Sequence, residues 1–255
     1  MITLGSQGYA GGLVLDSFER AVTWQPRAQS YSRVANPLRC ASLYSESKNI
    51  AARPTRRLIA FLLAAIVFAG LIAVSIPDRR VRGWSLGTAY AAFFLLMWGL
   101  TIGPLNIIRR RPNPVHNPVR RDAGIAGGMM GIIHTVIGLQ VHMGGNLARY
   151  FLPPPDLNSA ARLFLAANWT GLISAVVLAL LVVISNNASL RRLGLVVWKN
   201  LQRWAYAAAA LAIGHGLAYQ LLEKRPRILI AFLCATTLLV FLIQVAGWRV
   251  KRAAA

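Results

Sequence analysis

Long apolar runs dominate the chain from residue 58 onwards and contain no Lys, Arg, Asp or Glu. Each run is long enough to cross the hydrocarbon core of a bilayer as a helix, which takes about 20 residues. None keeps the polar face of a surface helix, and one soluble domain cannot bury so many all-apolar helices. The pattern predicts an all-α membrane protein with six transmembrane helices, over about 58–77, 84–106, 123–144, 163–185, 204–222 and 228–248.

Residues 1–52 differ in kind from the rest of the chain. They are rich in Ser, Arg and Gly, and they show no basic region followed by an apolar one, so no signal peptide is predicted. We predict a disordered polar tail over 1–52 and a six-helix membrane domain over 53–252. A start codon upstream of the natural one would produce a similar segment. An organellar transit peptide is disfavoured by Asp16, Glu19 and Glu46.

Charge adds an orientation to this picture. The chain is 56% hydrophobic and only 14% charged, yet its net charge is +21. The basic residues stand in short clusters that flank the apolar runs, which indicates contact with lipid headgroups and excludes a nucleic-acid-binding stripe. With both termini in the cytoplasm, inside segments carry roughly twice as many Lys and Arg near the spans as outside segments, although the cluster at 79–82 disagrees. We expect an integral protein of the bacterial inner membrane with both termini cytoplasmic.

Motifs of soluble enzymes are missing from the sequence. Cys40 and Cys234 offer neither a disulfide framework nor metal-ligand spacing. No Gly-rich dinucleotide fingerprint, P-loop or nucleophile elbow occurs. A redox protein of this kind would therefore take its electrons from a separate partner.

Two of the four histidines lie in the middle of predicted spans. His134 is about 12 residues into the third span and His215 about 12 into the fifth, which places both about 18 Å from the start of parallel helices. Two imidazoles at equal depth can ligate one iron from opposite sides. The alternative for either histidine is a hydrogen bond to a neighbouring helix.

Small residues accompany both histidines. Gly127, Gly131 and Gly138 lie on the same helical face as His134. Ala208, Ala212 and Ala218 occupy similar spacings around His215. Such faces suit a flat macrocycle, and they also suit bare helices that pack closely.

The other two histidines, His116 and His142, are weaker candidates for ligands of an iron. His142 follows His134 by eight residues, which on a continuous helix is about 12 Å further out and about 80° round the axis. It is expected to lie near the membrane edge or to line a quinone pocket, with ligation of a second haem as the alternative. His116 lies in a Pro-rich loop and is expected to be exposed.

Longer motifs resemble a known family. The segment RRDAGI at 120–125, with His134 after it, resembles the start of the haem-binding helix of ferric reductase-like transmembrane domains. The segments RRLG at 191–194 and WKNLQR at 198–203, with His215 thirteen residues after Gln202, resemble the connector and next helix of that family. The similarity covers roughly 55–250. The family includes the haem-binding membrane subunit of the periplasmic methionine sulfoxide reductase system.

The resemblance implies a six-helix bundle that carries electrons through b haems, with His134 and His215 as axial ligands of the haem nearer the outer face. Gln202 stands where many relatives have another histidine, and glutamine is a poor ligand for haem iron. One haem is therefore expected, and a second only if His142 or His116 ligates it. The candidate cofactor-binding residues are His134, His215, Gly127, Gly131, Gly138, His142 and Gln202, with His134 and His215 as metal ligands.

The resulting hypothesis is an electron-transfer component of an oxidoreductase system rather than a complete enzyme. A quinol or a separate flavin reductase would reduce the haem, and an acceptor on the outer side, such as a redox partner protein, would take the electron. A transporter is disfavoured because the predicted spans contain no acidic or basic residue other than histidine. A non-catalytic assembly subunit, whose histidines only bond neighbouring helices, is the remaining alternative.

Overall fold

A computed structural model describes residues 54–76, 80–111, 117–154 and 158–254, with side chains from residue 56 onwards. These residues form helices joined by turns and contain no strand, which confirms the all-α prediction. They belong to the compact unit Ile50–Ala255. The tail predicted over 1–52 and His116 lie outside the described residues.

Eight α-helices follow one another along the described chain. They are α1 Pro54–Val74, α2 Arg80–Ile108, α3 Pro118–Gly138, α4 Leu147–Phe151, α5 Ser159–Ile184, α6 Asn187–Gln202, α7 Trp204–Leu222 and α8 Arg227–Ala253. Side-chain oxygens of Asn117, Asn158 and Asn186 cap the first turns of α3, α5 and α6.

Five helical stretches of the described chain are long and apolar enough to cross a membrane. They are Arg56–Val74, Arg80–Ile108, Ser159–Ile184, Asn187–Leu222 and Arg227–Ala253. Large apolar side chains such as Leu71, Val183 and Ile228 remain exposed on them, as expected for surfaces that face lipid. The chain is thus an apolar helical protein of the membrane class.

Helix α3 is long enough to cross a membrane, with 21 residues, but it is less apolar than these five stretches. Its first turns carry Arg120, Arg121 and Asp122, and several of its later positions are glycine. Apolarity therefore supports five of the six predicted spans. A long helix is nevertheless present at each of the six predicted places.

Helix α2 is the hub of the bundle. It packs against α1, α3 and α8, while α5 packs against both α3 and α7. A buried apolar core joins α2, α5, α7 and α8. It consists of Phe93, Leu96, Met97, Leu100, Leu178, Ala208, Ala209, Leu233 and Val240. Most of this core occupies the half of the bundle away from Glu223, the residue that ends α7. The end of the bundle that holds Glu223 is called the Glu223 end below.

The third helix is shorter than the sequence predicts. It ends at Gly138 instead of near residue 144, and a 3-10 turn follows at Met143–Gly145, with Gly144 and Gly145 at positive φ. The buried Tyr150 hydroxyl fixes this turn, because it accepts a hydrogen bond from the His142 N–H (2.8 Å) and donates to the His142 carbonyl (2.6 Å). His142 therefore lies in a turn, and the helical position expected for it is wrong.

Gly87 sets the contact between α1 and α2. A Cβ atom at this position would lie 2.8 Å from Ala69 Cα and closer still to the Ala69 carbonyl oxygen. We expect Gly87→Ala to force the helices apart and to destabilise the detergent-solubilised protein by about 1–3 kcal/mol. Gly124→Ala is the matched control, because no atom lies within 4 Å of a Cβ there. Thermal unfolding measures both, and equal melting temperatures would contradict the packing role.

Candidate functional site

The structure brings the rings of His134 of α3 and His215 of α7 together inside the bundle in a T-shaped arrangement. Their ring centroids are 6.0 Å apart and the ring planes make an angle of 70°. Both rings line the same internal cavity. The pairing expected from equal depth on two helices is therefore present as a direct contact between the two imidazoles.

Each histidine is held through the same ring nitrogen. His134 Nδ1 lies 2.9 Å from the Ser85 carbonyl of α2, and His215 Nδ1 lies 2.8 Å from the Ala167 carbonyl of α5. A carbonyl oxygen only accepts hydrogen bonds, so Nδ1 carries the proton in a neutral ring and Nε2 keeps its lone pair. This is the arrangement of a metal-binding histidine, whose second nitrogen is oriented by an outer partner.

Glycines make room for both rings. A Cβ at Gly171 would lie 2.5 Å from His215 Nδ1, and one at Gly138 would lie 3.7 Å from His134 Cε1. Gly171 is therefore required for the His215 position, whereas Gly138 is in ordinary contact with His134. Nothing in the sequence singles out Gly171, because its role depends on α7, a helix that lies beside it only in the fold.

The histidines line a cavity of about 200 Å³ between α2, α3, α5, α7 and α8. Eight of its lining residues are glycine or alanine: Ala89, Ala92, Gly131, Gly138, Gly171, Ala175, Ala212 and Gly216. Gly131, Gly138 and Ala212 thus lie where the sequence placed them. Gly127 does not line the cavity, since a Cβ there would meet the Leu96 backbone nitrogen at 3.1 Å. Gly127 serves the packing of α3 on α2.

Charged residues surround the Glu223 end of the cavity. The Glu223 carboxylate accepts from Arg82 Nη2 (2.5 Å), Arg225 Nη2 (2.6 Å) and His142 Nε2 (2.7 Å). The Glu223 side chain is only 8% exposed, and all four residues line the cavity. This group is called the Glu223 cluster below.

The Glu223 carboxyl is strongly acidic in this setting. Burial alone would raise its pKa, but the hydrogen bond from His142 and the two guanidinium groups hold the pKa at about 2. The carboxylate is therefore charged at every physiological pH and neutralises one of the two arginines beside it.

Tyr219 connects the Glu223 cluster to His215. Its ring centroid is 4.9 Å from that of His215 and 5.9 Å from that of His142. Its hydroxyl donates to Asn168 Oδ1 at 2.6 Å. His142, Tyr219 and Glu223 also line a second cavity of about 820 Å³ between α5, α7 and the turn at Met143–Gly145. These three side chains stand between the two cavities.

Gln202 is directed elsewhere. Its Nε2 donates to Ser185 Oγ at 3.1 Å, where α5 ends, and the residue does not line the histidine cavity. Apolar core residues occupy the half of the bundle nearer to Gln202. The structure therefore gives Gln202 a structural hydrogen bond rather than a place in the candidate site.

Within the described ranges, no three His, Cys, Asp or Glu side chains are grouped so that they could hold a metal ion by themselves. The site offers two imidazoles and no third ligand.

Comparisons with family models, curated proteins and solved structures find no match to this chain.

Several residues of the site are not predicted by the sequence. The Ser85 and Ala167 carbonyls, Gly171 and the Arg82–Glu223 pair come from helices far apart in the chain. One signal was available, since Glu223 and Arg225 follow His215 by eight and ten residues and so lie at the same end of one helix. The partner on α2 had no such signal.

The low pKa of Glu223 predicts a pH-dependent contribution to stability. Its value falls from an ordinary 4.5 to about 2 on folding, so the ionised group stabilises the fold fully above about pH 4.5. That stabilisation is lost as the pH falls towards 2. We expect Glu223→Gln to lower the melting temperature at pH 7, and the gap from wild type to shrink between pH 5 and 3. Thermal unfolding across this range tests it, and a gap independent of pH would refute it.

Proposed function

We propose that this protein binds one b-type haem between His134 and His215 and transfers electrons through it. The observation that carries the proposal is the distance of 6.0 Å between the two ring centroids, with both Nδ1 atoms tied to backbone carbonyls. An imidazole nitrogen binds a metal at about 2 Å, so two rings on opposite sides of one iron have centroids roughly 6 Å apart. The resemblance of the RRDAGI and WKNLQR segments to ferric reductase-like domains supports the same assignment.

The residues around the histidines fit a macrocycle. Haem needs only two protein ligands because its own nitrogens fill the other positions on the iron, so a two-histidine site is sufficient. Glycine and alanine at eight lining positions leave space beside the imidazoles, and Leu86, Phe93 and Leu178 supply apolar contacts. The charged residues of the cavity, Arg82, Glu223 and Arg225, gather at one end, as a group with an apolar body and an ionised edge would require.

The haem, when bound, supplies a one-electron couple, and the protein sets its potential. The carbonyls of Ser85 and Ala167 orient the imidazoles and raise their basicity through the Nδ1 hydrogen bonds. Both histidines are half-buried, so the surrounding helices limit the access of water to the two rings. The proposed donor is a quinol or a separate flavin reductase, and the acceptor is a partner at the Glu223 end.

Only one haem is proposed. The core residues Met97, Leu100, Ala208 and Ala209 fill the other half of the bundle, and Gln202 bonds Ser185 there. His142 is bound to Glu223 at the opposite end. No second pair of histidines faces a cavity in the described part of the chain.

We further propose that α3 is a sixth span and that the Glu223 end faces the outside of a bacterial inner membrane. Helix α3 packs between α1, α2 and α5, so neighbouring helices shield much of it from lipid. Arg249, Lys251 and Arg252 end α8 at the opposite end, which the positive-inside rule places in the cytoplasm. With six spans, the start of α1 and the end of α8 both lie on the cytoplasmic side.

The spectrum of the purified protein tests the proposal directly. Wild type from haem-replete cells should show a reduced-minus-oxidised b-type spectrum with one haem per chain. His134→Ala and His215→Ala should each abolish it, because either change removes an axial ligand. His142→Ala is the matched control and should keep it. A well-folded, colourless wild type would refute haem binding and favour the assembly-subunit hypothesis.

Gly171 offers a test that leaves both ligands in place. Gly171→Ala puts a methyl group 2.5 Å from His215 Nδ1 and should displace the ring from the Ala167 carbonyl. We expect haem content to fall at least several-fold and the midpoint potential of any retained haem to shift. Gly214→Ala, beside His215 but with no atom within 4 Å of the added Cβ, should behave as wild type. Equal haem content and potential in the two variants would contradict the role of Gly171.

A further inference from the structure

Arg82 has hydrogen-bonding capacity that the described residues leave unused. Its Nη2 donates to Glu223, but its Nε is buried and has no hydrogen-bond partner among them. A buried donor on a charged group is strongly unfavourable when it stays unpaired. Arg82 also lines the histidine cavity, so the space beside it belongs to that site.

The charges of the Glu223 cluster do not balance. Arg82 and Arg225 share the single carboxylate of Glu223, which leaves one positive charge in excess, and His142 contributes no negative charge. Tyr90 and Gln220, which also line this end of the cavity, are neutral side chains bonded to each other. An anion with oxygen acceptors is the chemistry that complements this excess.

Arg82 stands close to the ligating pair along its own helix. It precedes Ser85, whose carbonyl holds His134, by three residues, which is about 4.5 Å along the helix axis. An arginine side chain can span such a distance, so a ligand held by the imidazoles has one edge within reach of the Arg82 guanidinium. Arg225 reaches the same end from the segment that follows α7, the helix that carries His215.

We propose that Arg82 binds a propionate carboxylate of the haem, while Glu223 keeps Arg225 and His142. This inference rests on the proposed haem site and adds an orientation to it. The carboxylate edge of the macrocycle lies at the Glu223 end, and the vinyl edge lies towards the apolar core. The excess charge of the cluster is thereby neutralised by the ligand, and Arg82 acts as a binding residue of the site.

The test compares protohaem with its dimethyl ester, which has the same iron and ring but no ionised propionate. Full-length protein from haem-depleted cells is titrated with each compound in detergent, and binding is followed by absorbance. Wild type should bind the ester roughly tenfold or more weakly, as expected for the loss of a charge-assisted hydrogen bond. Arg82→Gln should weaken protohaem and leave the ester nearly unchanged, so the preference largely disappears.

Arg80→Gln is the matched control, since Arg80 is exposed on the same helix and does not line the cavity. It should keep the wild-type preference. The wild-type titration needs no variant, so a misfolded Arg82→Gln does not remove the test. Equal binding of both compounds by wild type overturns the propionate contact and leaves the haem site standing. An unchanged preference in folded Arg82→Gln also overturns it, whereas failure of wild type to bind either compound overturns the haem site itself.

Discussion

Two hydrogen bonds between imidazoles and helix carbonyls are the interactions on which the site depends. The Ser85 and Ala167 oxygens lie within helices α2 and α5, and each fixes a ring that belongs to a different helix. A carbonyl has two lone pairs, so it can accept from a neighbouring side chain as well as from its own helix. The four helices must therefore keep their relative depth for both rings to face one another. Close approach at Gly127, between α3 and α2, and at Gly171, between α5 and α7, helps to hold these helices in place.

The bundle separates two environments around the paired histidines. Towards one end, apolar side chains of α2, α5, α7 and α8 fill the interior. Towards the other, Glu223 gathers two arginines and a histidine beneath the turn that Tyr150 holds. A ligand between the imidazoles thus meets hydrocarbon on one side and fixed charge on the other. This asymmetry underlies both the assignment of a single haem and its proposed orientation.

The same residues distinguish the proposed function from its rivals. An assembly subunit would need His134 and His215 only as links between helices, and one ring nitrogen of each does make such a link. The second nitrogen of each ring, however, is left beside a cavity lined with glycine and alanine. Sequence reasoning against a transporter overlooked the Glu223 cluster, since it looked for acids only within apolar runs. In this bundle the cluster lies at a helix end and carries one positive charge in excess, which fits the proposed ligand-binding rim better than a mid-membrane carrier site.

The sequence alone determined the helical class, the apolar helices and the pairing of His134 with His215, because apolar run length and depth along a helix are local, one-dimensional properties. It also placed Gly131 and Gly138 beside the histidines, since residues at helical spacing share a face. Only the tertiary structure decided that Gly127 packs on α2, that α3 ends before His142, and that Gln202 bonds Ser185. It alone joined Arg82 to Glu223 across 141 residues. Such contacts depend on which helices become neighbours and how they are rotated, and neither is encoded in the period of a single segment.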